Sequence, residues 1–322
     1  MSQQDERDLF GPRRLSDALP MAKALSRIKR LIESAVQIEA EDPETITYQH
    51  TGFCQTVLPY QNPGDHVRRW ERQQGAISLE VDAGRARNPF TRRYEDVGLP
   101  FGSRPRLILA HLNREALLHG SPRIEVEDSL TAFMRRIQKT DPNGREIHRF
   151  KDQLSRLAAA GVRMAVDLSE EHSFQVDTKI VDVLDLWLVK DERQRVLWPS
   201  LVELSPRYFD SLTRHAVPLD ERAIGALANS ALALDVYSWL AQRLHRVPKA
   251  KPQRITWVRL HEQFGQGYQH IRQFRAAFLK VLALVRTQYR AAKIEADGGG
   301  LELRNSQPPV APRLVPARKL LG

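Results

Sequence analysis

Residues 265–290 constrain the fold of this chain most, because they have opposite chemistry on the two faces of a predicted helix. At 3.6 residues per turn, one face is apolar and is predicted to anchor the helix in its own domain. It carries Ile271, Phe274, Phe278, Val281, Leu282, Val285 and Tyr289. The other face carries Gln269, Arg272, Arg275, Arg286 and Arg290. This polar face is either a solvated surface or a surface that binds a polyanion.

The elements around this helix predict a winged helix-turn-helix domain over residues 205–306. Ser205, Asp220 and Thr256 have the chemistry of helix N-caps, and they begin predicted helices over 205–217, 219–244 and 256–265. Gly265 and Gly267 then make a tight turn before the amphipathic helix. Residues 293–305 predict two short strands around a Gly-rich tip. This order of elements is the one found in winged-helix domains.

A similar order occurs earlier in the chain and predicts a first winged-helix-like domain over residues 51–204. Predicted helices cover residues 104–120, 127–137 and 145–161, and extra strands are predicted at 51–60 and 76–84. The third helix has an apolar stripe, and Arg145, Arg149 and Arg156 lie opposite that stripe. Its turn, residues 138–144, is longer than the usual three or four residues. We therefore expect these arginines to contact the DNA backbone or to be merely solvated.

The predicted fold class is α+β, with two winged helix-turn-helix domains in tandem and flexible terminal segments. Residues 1–50 are predicted to be an N-terminal arm, helical over 17–40, and residues 307–322 a disordered, basic, Pro-rich tail. Trp198, Trp239 and Trp257 lie in apolar periodic contexts and are predicted to be core residues rather than platforms for bases.

The charge of the chain favours a polyanionic partner. Its 322 residues contain 49 Lys and Arg against 39 Asp and Glu, a formal net charge of +10. The single cysteine, Cys54, excludes an internal disulfide framework and a multi-cysteine zinc site. The polar start of the chain and the absence of a long apolar run predict a soluble cytoplasmic protein with no membrane partner.

The sequence lacks the motifs of the common nucleotide-processing enzymes. No glycine is followed by lysine, so a Walker-type phosphate loop is missing, and the ten histidines form no metal-binding signature. Asp182 and Asp185 are two residues of a predicted strand edge rather than metal ligands. We therefore predict no enzyme activity, no catalytic residues, no metal and no cofactor.

The side chains at the start of the amphipathic helix have the right chemistry for base readout. Arg pairs bidentately with guanine and Gln with adenine, and a recognition helix presents such residues at its N-terminal end in the major groove. The predicted readers are Gln269, His270, Arg272, Gln273 and Arg275. Arg286 and Arg290 lie three to four turns further along and are predicted to be only solvated.

Several long strings of this chain also resemble the plasmid-encoded RepA replication initiators of Gram-negative bacteria. The resemblance covers residues 55–305 and is carried by strings such as LPYQNPGDHVRRWERQQG, RLILAHLNREAL, LSPRYFDSLTRHAVPLDERAIGALANSALALDVYSWLAQRL and QFGQGYQHIRQFRAAF. It implies two winged-helix domains that bind repeated sites, called iterons, in double-stranded DNA at a plasmid origin. It also implies origin opening, recruitment of the host initiator DnaA and the replicative helicase DnaB, and a possible homodimer.

Three functions remain open at this stage. The first is a sequence-specific replication initiator without enzyme activity. The second is a winged-helix transcriptional repressor with the same domains and no replication role. The third is a primase or nuclease whose active site has no recognisable motif.

Overall fold

A computed structural model describes residues 15–87, 91–138, 142–167, 173–184 and 201–312. The helices are α1 (Leu15–Ala40), α2 (Thr51–Gln55), α3 (Ser103–His119), α4 (Glu127–Gln138), α5 (Gly144–Ala159), α6 (Pro206–His215), α7 (Glu221–Leu227), α8 (Ala231–Arg243), α9 (Trp257–Phe264) and α10 (Ile271–Gln288), with a 3₁₀ turn at Leu244–Arg246. The strands are β1 (Ile46–His50), β2 (Arg69–Gln74), β3 (Ile77–Asp82), β4 (Arg85–Arg87), β5 (Tyr94–Asp96), β6 (Arg123–Glu125), β7 (Gly161–Asp167), β8 (Ser173–Lys179), β9 (Val181–Leu184), β10 (Leu201–Leu204), β11 (Ala216–Asp220), β12 (Gln253–Thr256), β13 (Ile294–Ala296) and β14 (Gly300–Leu303).

The described strands form small antiparallel sheets between the helices, which confirms the α+β class. The largest has the order β2-β3-β7-β8, and two three-stranded sheets have the orders β6-β10-β9 and β12-β14-β13. Strands β4 and β5 form a separate two-stranded ribbon. The fifth sheet pairs β1 with β11, whose residues lie far apart in the chain: Ile46 is opposite Asp220. This pairing connects the segment before the first half to the second half.

Local chemistry explains where the predicted helices begin and end. The side chains of Ser205, Asp220 and Thr256 accept hydrogen bonds from backbone amides at the starts of α6, α7 and α9, so all three predicted N-caps are confirmed. Gly120 ends α3 in the left-handed conformation, with φ 61°, as predicted.

Two sequence predictions about local structure are wrong. Residues 51–55 were expected to be extended, but they form the short helix α2, which the His50 side chain caps through the amide of Gly52. Residues 219–244 were expected to form one long helix. They form β11, α7 and α8 instead, because Ser230 caps a new helix by accepting a hydrogen bond from Ala233 N.

The apolar core is one continuous cluster that runs through both halves of the described chain. Trp239 and Trp257 are buried in it, with 1% and 4% of their surface exposed, which confirms the prediction that they are core residues. Trp198, predicted to be buried with them, lies outside the described residues. Phe133 and Phe150 belong to the same cluster in the first half.

Helix α1 packs against the second half rather than standing away from it as a free arm. Leu31 is buried, Ser34 Oγ donates to Arg222 O at 3.1 Å, and Gln288 Nε2 donates to Leu31 O at 2.9 Å. The opposite face of α1 exposes an apolar stripe made of Leu25, Ile28, Ile32 and Val36, each more than half exposed.

The ordered chain also continues beyond the predicted start of the tail at 307. Val310 is buried, and Tyr289 donates its hydroxyl hydrogen to Gln307 O at 2.7 Å. The remainder of the predicted tail, residues 313–322, and the first 14 residues lie outside the described part of the chain.

Candidate nucleic-acid interface

Helix α10 is fixed to the core by its apolar face. Phe274, Phe278, Leu282, Val285 and Tyr289 are buried, as predicted. The Phe278 ring lies against Trp257, Phe264 and Phe274, with centroid distances of 6.1, 5.7 and 5.3 Å. The prediction that Ile271 belongs to this anchor is wrong, because Ile271 is the first residue of α10 and 39% of its surface is exposed.

The five predicted base readers lie together at the N-terminal end of α10. Gln269, His270, Arg272 and Gln273 are exposed, and Arg275 is half-buried. Within the described part of the chain, none of the five side chains makes a hydrogen bond or an ion pair. Arg275 places its guanidinium over the Trp257 ring, 5.2 Å from the ring centroid, which holds that side chain against α9.

The N-terminal end of α10 carries a positive charge where helices usually carry a negative one. The first turn of α10 contains Arg272 and no acidic residue, and His270 provides no side-chain cap. The positive end of the helix dipole disfavours a cation there by about 0.3–1 kcal/mol, and the first backbone N–H groups lack helical partners. An anion bound at this end satisfies both the amides and the arginine, so the local arrangement fits a phosphate or a polar base edge.

The turn between α9 and α10 is held in one conformation. Gly265 ends α9 by donating its N–H to His261 O at 2.7 Å, and a Cβ at this position would lie 2.3 Å from the His261 ring. Gly267 has φ +84°, a conformation that favours glycine. The His261 ring donates Nε2–H to Tyr268 O at 2.8 Å. The two glycines therefore make the turn that the sequence predicted, and His261 braces it.

The β13–β14 hairpin, which follows α10 in the chain, is also fixed at its tip. Arg254 on β12 donates two hydrogen bonds to the carboxylate of Asp297, at 2.7 and 2.6 Å. Asp297 also accepts hydrogen bonds from the amides of Gly299 and Gly300. The bond from Arg254 lowers the pKa of Asp297, and the two amides lower it further.

Arg286 lies in the last turn of α10, and Arg290 lies two residues beyond its end, both far from the predicted base readers. Arg290 forms an ion pair with Glu39 of α1, whereas Arg286 is exposed. Arg290 thus has a partner in the fold and is not simply solvated.

The three predicted backbone contacts on α5 have different surroundings. Arg145 is exposed, and Arg149 forms an ion pair with Glu146 at 3.3 Å. The Arg156 side chain is only 14% exposed, and it forms ion pairs with Asp152 and Asp65 at 3.1 and 3.2 Å. These partners occupy the Arg156 guanidinium and leave it little surface for a phosphate.

Sequence reasoning missed the residues that connect the α9–α10 turn to the first half. Gln266 Oε1 accepts a hydrogen bond from Tyr60 N at 2.8 Å, and Gln263 Nε2 donates to Gln55 O at 2.7 Å. Their partners lie more than 200 positions away in the chain, so no local pattern indicates these contacts. They fix the position of α10 relative to the first half.

A buried ion pair connects the two halves deeper in the core. Arg106 on α3 donates to both carboxylate oxygens of Asp235 on α8, at 2.6 and 2.7 Å. Arg106 also donates to the carbonyls of Gly102 and Leu58, at 2.6 and 2.8 Å, and its guanidinium lies over the Tyr60 ring. Because the two buried charges are paired and Arg106 also donates to backbone carbonyls, the pair fixes α3 of the first half relative to α8 of the second.

The described residues contain no group of three or more histidine, cysteine, aspartate or glutamate side chains arranged to hold a metal ion. Asp182 is exposed on β9, and Asp185 lies outside the described part of the chain. In the same described ranges, no helix combines the length and the apolar character that a bilayer span requires.

Comparison with known proteins identifies the family of the chain. Residues 99–259, half of the chain, match the family described as plasmid encoded RepA protein. The chain belongs to this RepA family. The match confirms the resemblance found in the sequence, and it spans α3 through α8 and the first three residues of α9 of this RepA-family chain.

Other comparisons are more distant. A solved structure of domains 2 and 3 of RctB is 11% identical, has a TM-score of 0.43, and covers 79% of this chain and 97% of its own. A selenomethionine derivative of the same domains has the same identity and TM-score, and covers 77% and 94%. No curated protein matches the chain.

Proposed function

We propose that this RepA-family protein is a replication initiator that binds double-stranded DNA sequence-specifically at repeated sites, the iterons, of a plasmid origin. The observation that carries the proposal is the N-terminal end of α10 in a member of this family. There, Arg272 lies exposed in a first turn without an acidic residue, next to two exposed glutamines, on a helix with a buried aromatic anchor.

The proposed reading unit is a winged helix-turn-helix. Its parts are strand β12, helix α9, the glycine turn, helix α10 and the β13–β14 hairpin, in that order along the chain. We place the start of α10 in the major groove, with the hairpin as the wing. Helices α4 and α5 with the β7–β8 hairpin have a similar order, and we propose that they form the second such unit.

Base readout is assigned to five side chains of the α10 end and backbone contact to α5. Arg272 and Arg275 have the donors to pair with guanine, and Gln269 and Gln273 have the amides to pair with adenine. His270 completes the set. On α5, Arg145 is exposed and is suited to a phosphate, and Arg149 can contact one after it leaves Glu146. Arg156, predicted as a third backbone contact, is held by Asp152 and Asp65 and contributes by its position in the fold.

Initiation itself is the part of the proposal that rests on the family resemblance. In this account, adjacent protomers strain the duplex so that a neighbouring A·T-rich element opens, and the host factors DnaA and DnaB are then recruited. The protein acts by binding alone, without enzyme activity, metal or cofactor, in the bacterial cytoplasm.

The exposed stripe of α1 is the surface that we assign to a homodimer. Leu25, Ile28, Ile32 and Val36 form an apolar face that no described residue covers. Residues 23–30 carry four basic residues, whereas the last turns of α1 carry two acidic ones, Glu33 and Glu39, and Glu41 and Asp42 follow just beyond its end. A second copy of α1 packed antiparallel therefore sets each basic half against an acidic half. Replacing Leu25 and Ile32 with glutamate is expected to give monomers in sedimentation at all concentrations, and an unchanged mass distribution would contradict the assignment.

The binding proposal is tested by titrating the purified full-length protein against duplexes that carry the repeats next to its gene. The expected result is at least about 1,000-fold tighter binding to a repeat than to a shuffled duplex of the same composition at 0.15 M salt. Equal affinity for the two duplexes would refute sequence-specific recognition.

A winged-helix repressor would give the same binding result, so the replication role needs its own test. The gene and the adjacent repeats are cloned on a replicon that does not otherwise replicate in the host. The initiator account predicts maintenance with the wild-type protein and loss with the Arg272→Ala variant. Failure of the wild-type protein to maintain the replicon would favour the repressor.

A further inference from the structure

The β4–β5 ribbon is a basic surface that neither predicted reading helix includes. Within residues 85–96 the chain has four arginines, Arg85, Arg87, Arg92 and Arg93, against two acids, Glu95 and Asp96. All six side chains are exposed. The ribbon is therefore an exposed element with an excess of positive charge.

Three of these arginines have no compensating carboxylate among the described residues. In the described part of the chain, the guanidinium groups of Arg87, Arg92 and Arg93 make no hydrogen bond and no ion pair, whereas Arg85 contacts Asp96 and Tyr94 O. Both acids are engaged within the ribbon or at its base: Glu95 accepts the Thr91 hydroxyl hydrogen at 2.7 Å, and Asp96 lies beside Arg68 and Arg85.

The neighbouring sheet shows that uncompensated arginines are not the rule on this surface. On β7, the guanidinium of Arg163 pairs with Glu80, Asp82 and Asp177. Arg69 on β2 pairs with Asp82 at 2.8 Å. The fold supplies carboxylates to Arg69 and Arg163. No described residue supplies one to Arg87, Arg92 or Arg93, so these three remain available to an external anion.

The base of the ribbon is fixed in place. The Arg68 guanidinium donates to the carbonyls of Val97, Ala83 and Gly84 at 2.8–2.9 Å. It therefore connects the residues just before β4 to the residue just after β5. Gly84 packs on the end of α5, where a Cβ would lie 1.8 Å from Ala159 O. The ribbon thus has a rigid connection to the rest of the first half.

Arg156 takes part in this anchor. A Cβ at Gly98, just after the ribbon, would lie 2.2 Å from a terminal nitrogen of Arg156 and 2.5 Å from Asp65. The largely buried Arg156 side chain and its exposed partner Asp65 therefore fill the space at the exit of the ribbon. Arg156 positions the ribbon on α5, which explains why its guanidinium is turned inward.

The location and chemistry of the ribbon fit duplex DNA. Arg149 lies seven residues before Arg156 on α5, which corresponds to about 10 Å along the helix. A two-stranded ribbon fits a DNA groove, and arginines neutralise phosphates along it. Tyr94, 62% exposed on the same ribbon, has a ring to pack on a sugar and a hydroxyl to donate to a phosphate.

We propose that the β4–β5 ribbon is a further contact to duplex DNA, made by Arg87, Arg92, Arg93 and Tyr94 with the phosphate backbone beside the segment that α5 grips. The ribbon supplies affinity that does not depend on base sequence. This inference rests on the proposed DNA-binding function and adds to it a surface, a ligand chemistry and a role for Arg156.

The test compares two triple variants with the same change in net charge. The ribbon variant replaces Arg87, Arg92 and Arg93 with glutamine; the control replaces Arg207, Arg214 and Arg246, which are exposed elsewhere. Each lost phosphate contact is expected to weaken binding roughly 5-fold at 0.15 M salt and to lower the slope of log K against log salt by about 0.9. The ribbon variant should therefore lose about 100-fold, equally for repeat and shuffled duplexes, and the control much less.

The possible outcomes separate the ribbon from the wider proposal. If the wild-type protein binds DNA and both triple variants lose the same affinity, the ribbon contact is refuted and the proposed DNA-binding function stands. Loss of repeat binding with unchanged shuffled binding also overturns it, because a phosphate contact is independent of sequence. No binding by the wild-type protein to any duplex overturns both proposals. Thermal unfolding of the ribbon variant should match wild type, since the three guanidinium groups make no hydrogen bond or ion pair with the described residues.

A second measurement tests proximity directly. A photo-crosslinking phenylalanine analogue at position 94 is expected to crosslink to the duplex in the full-length complex. The same analogue at Leu118, which is similarly exposed at the end of α3, should give only background. Equal yields at the two positions would contradict the ribbon contact.

Discussion

Replacing Arg272 with alanine removes the side chain to which the proposed readout assigns a guanine contact. A bidentate arginine–guanine pair contributes about 1–3 kcal/mol, so the dissociation constant for the repeat should rise about 5- to 150-fold. The fold should not suffer, because Arg272 is exposed and has no partner in the described residues. Loss of a cation from the first turn even relieves the helix dipole by about 0.3–1 kcal/mol.

The matched control is Arg286→Ala on the same helix. Arg286 is exposed like Arg272 but lies 14 residues further on, about 21 Å along the helix axis. Its loss should change the dissociation constant less than about twofold beyond the general effect of one charge. Both variants are titrated by fluorescence anisotropy with repeat and shuffled duplexes at 0.15 M salt, and urea unfolding checks the fold.

Equal effects of the two substitutions on repeat binding would refute the reasoning, since they would show that α10 contributes charge and not readout. A loss that is the same for repeat and shuffled duplexes would also contradict it. In that case Arg272 would contact a phosphate, and the assignment of base readout to the start of α10 would fall.

Two further predictions concern stability. Asp235→Ala leaves the buried Arg106 without its carboxylate and should cost about 3–5 kcal/mol in urea unfolding, whereas replacing both residues with leucine should recover part of this loss; a cost below about 1 kcal/mol for Asp235→Ala would contradict a structural role for the pair. Burial, with a smaller contribution from His215, lowers the pKa of His50 to about 4, and burial lowers that of His111 to about 3. As the pH falls, these two histidines are therefore protonated in the unfolded chain before they are protonated in the folded one. The free energy of unfolding should fall by about 1 kcal/mol per histidine between pH 7 and pH 5.5. The contribution of the two neutral rings to stability is fully present only above about pH 6.5. A flat profile, or an unchanged one in His111→Leu, would contradict the two buried neutral rings.

Elements with strong local signals were predictable from the sequence. The buried face of α10 followed from its helical period, apart from Ile271, which begins the helix and projects beyond the core. The N-caps at Ser205, Asp220 and Thr256 followed from side-chain chemistry. The five proposed readers were found because their chemistry is visible in a single stretch of sequence.

Features that depend on distant contacts were not predictable. The pairing of β1 with β11 and the contact of Gln266 with Tyr60 join residues more than 150 positions apart. The sequence predicted that Arg156 lies on a solvated face, because a helical wheel does not show its partner Asp65, which is 91 positions away in the chain. The break at Ser230 was missed because one side-chain hydrogen bond outweighed a continuous apolar pattern.

Footprinting of the full-length protein on the DNA that flanks its gene tests the central claim most directly. The account predicts regularly spaced protected segments of one repeated sequence at physiological salt, lost together in the Arg272→Ala variant and retained in Arg286→Ala. Uniform protection of the whole fragment, or protected segments with no common sequence, would contradict an initiator that reads repeats through α10.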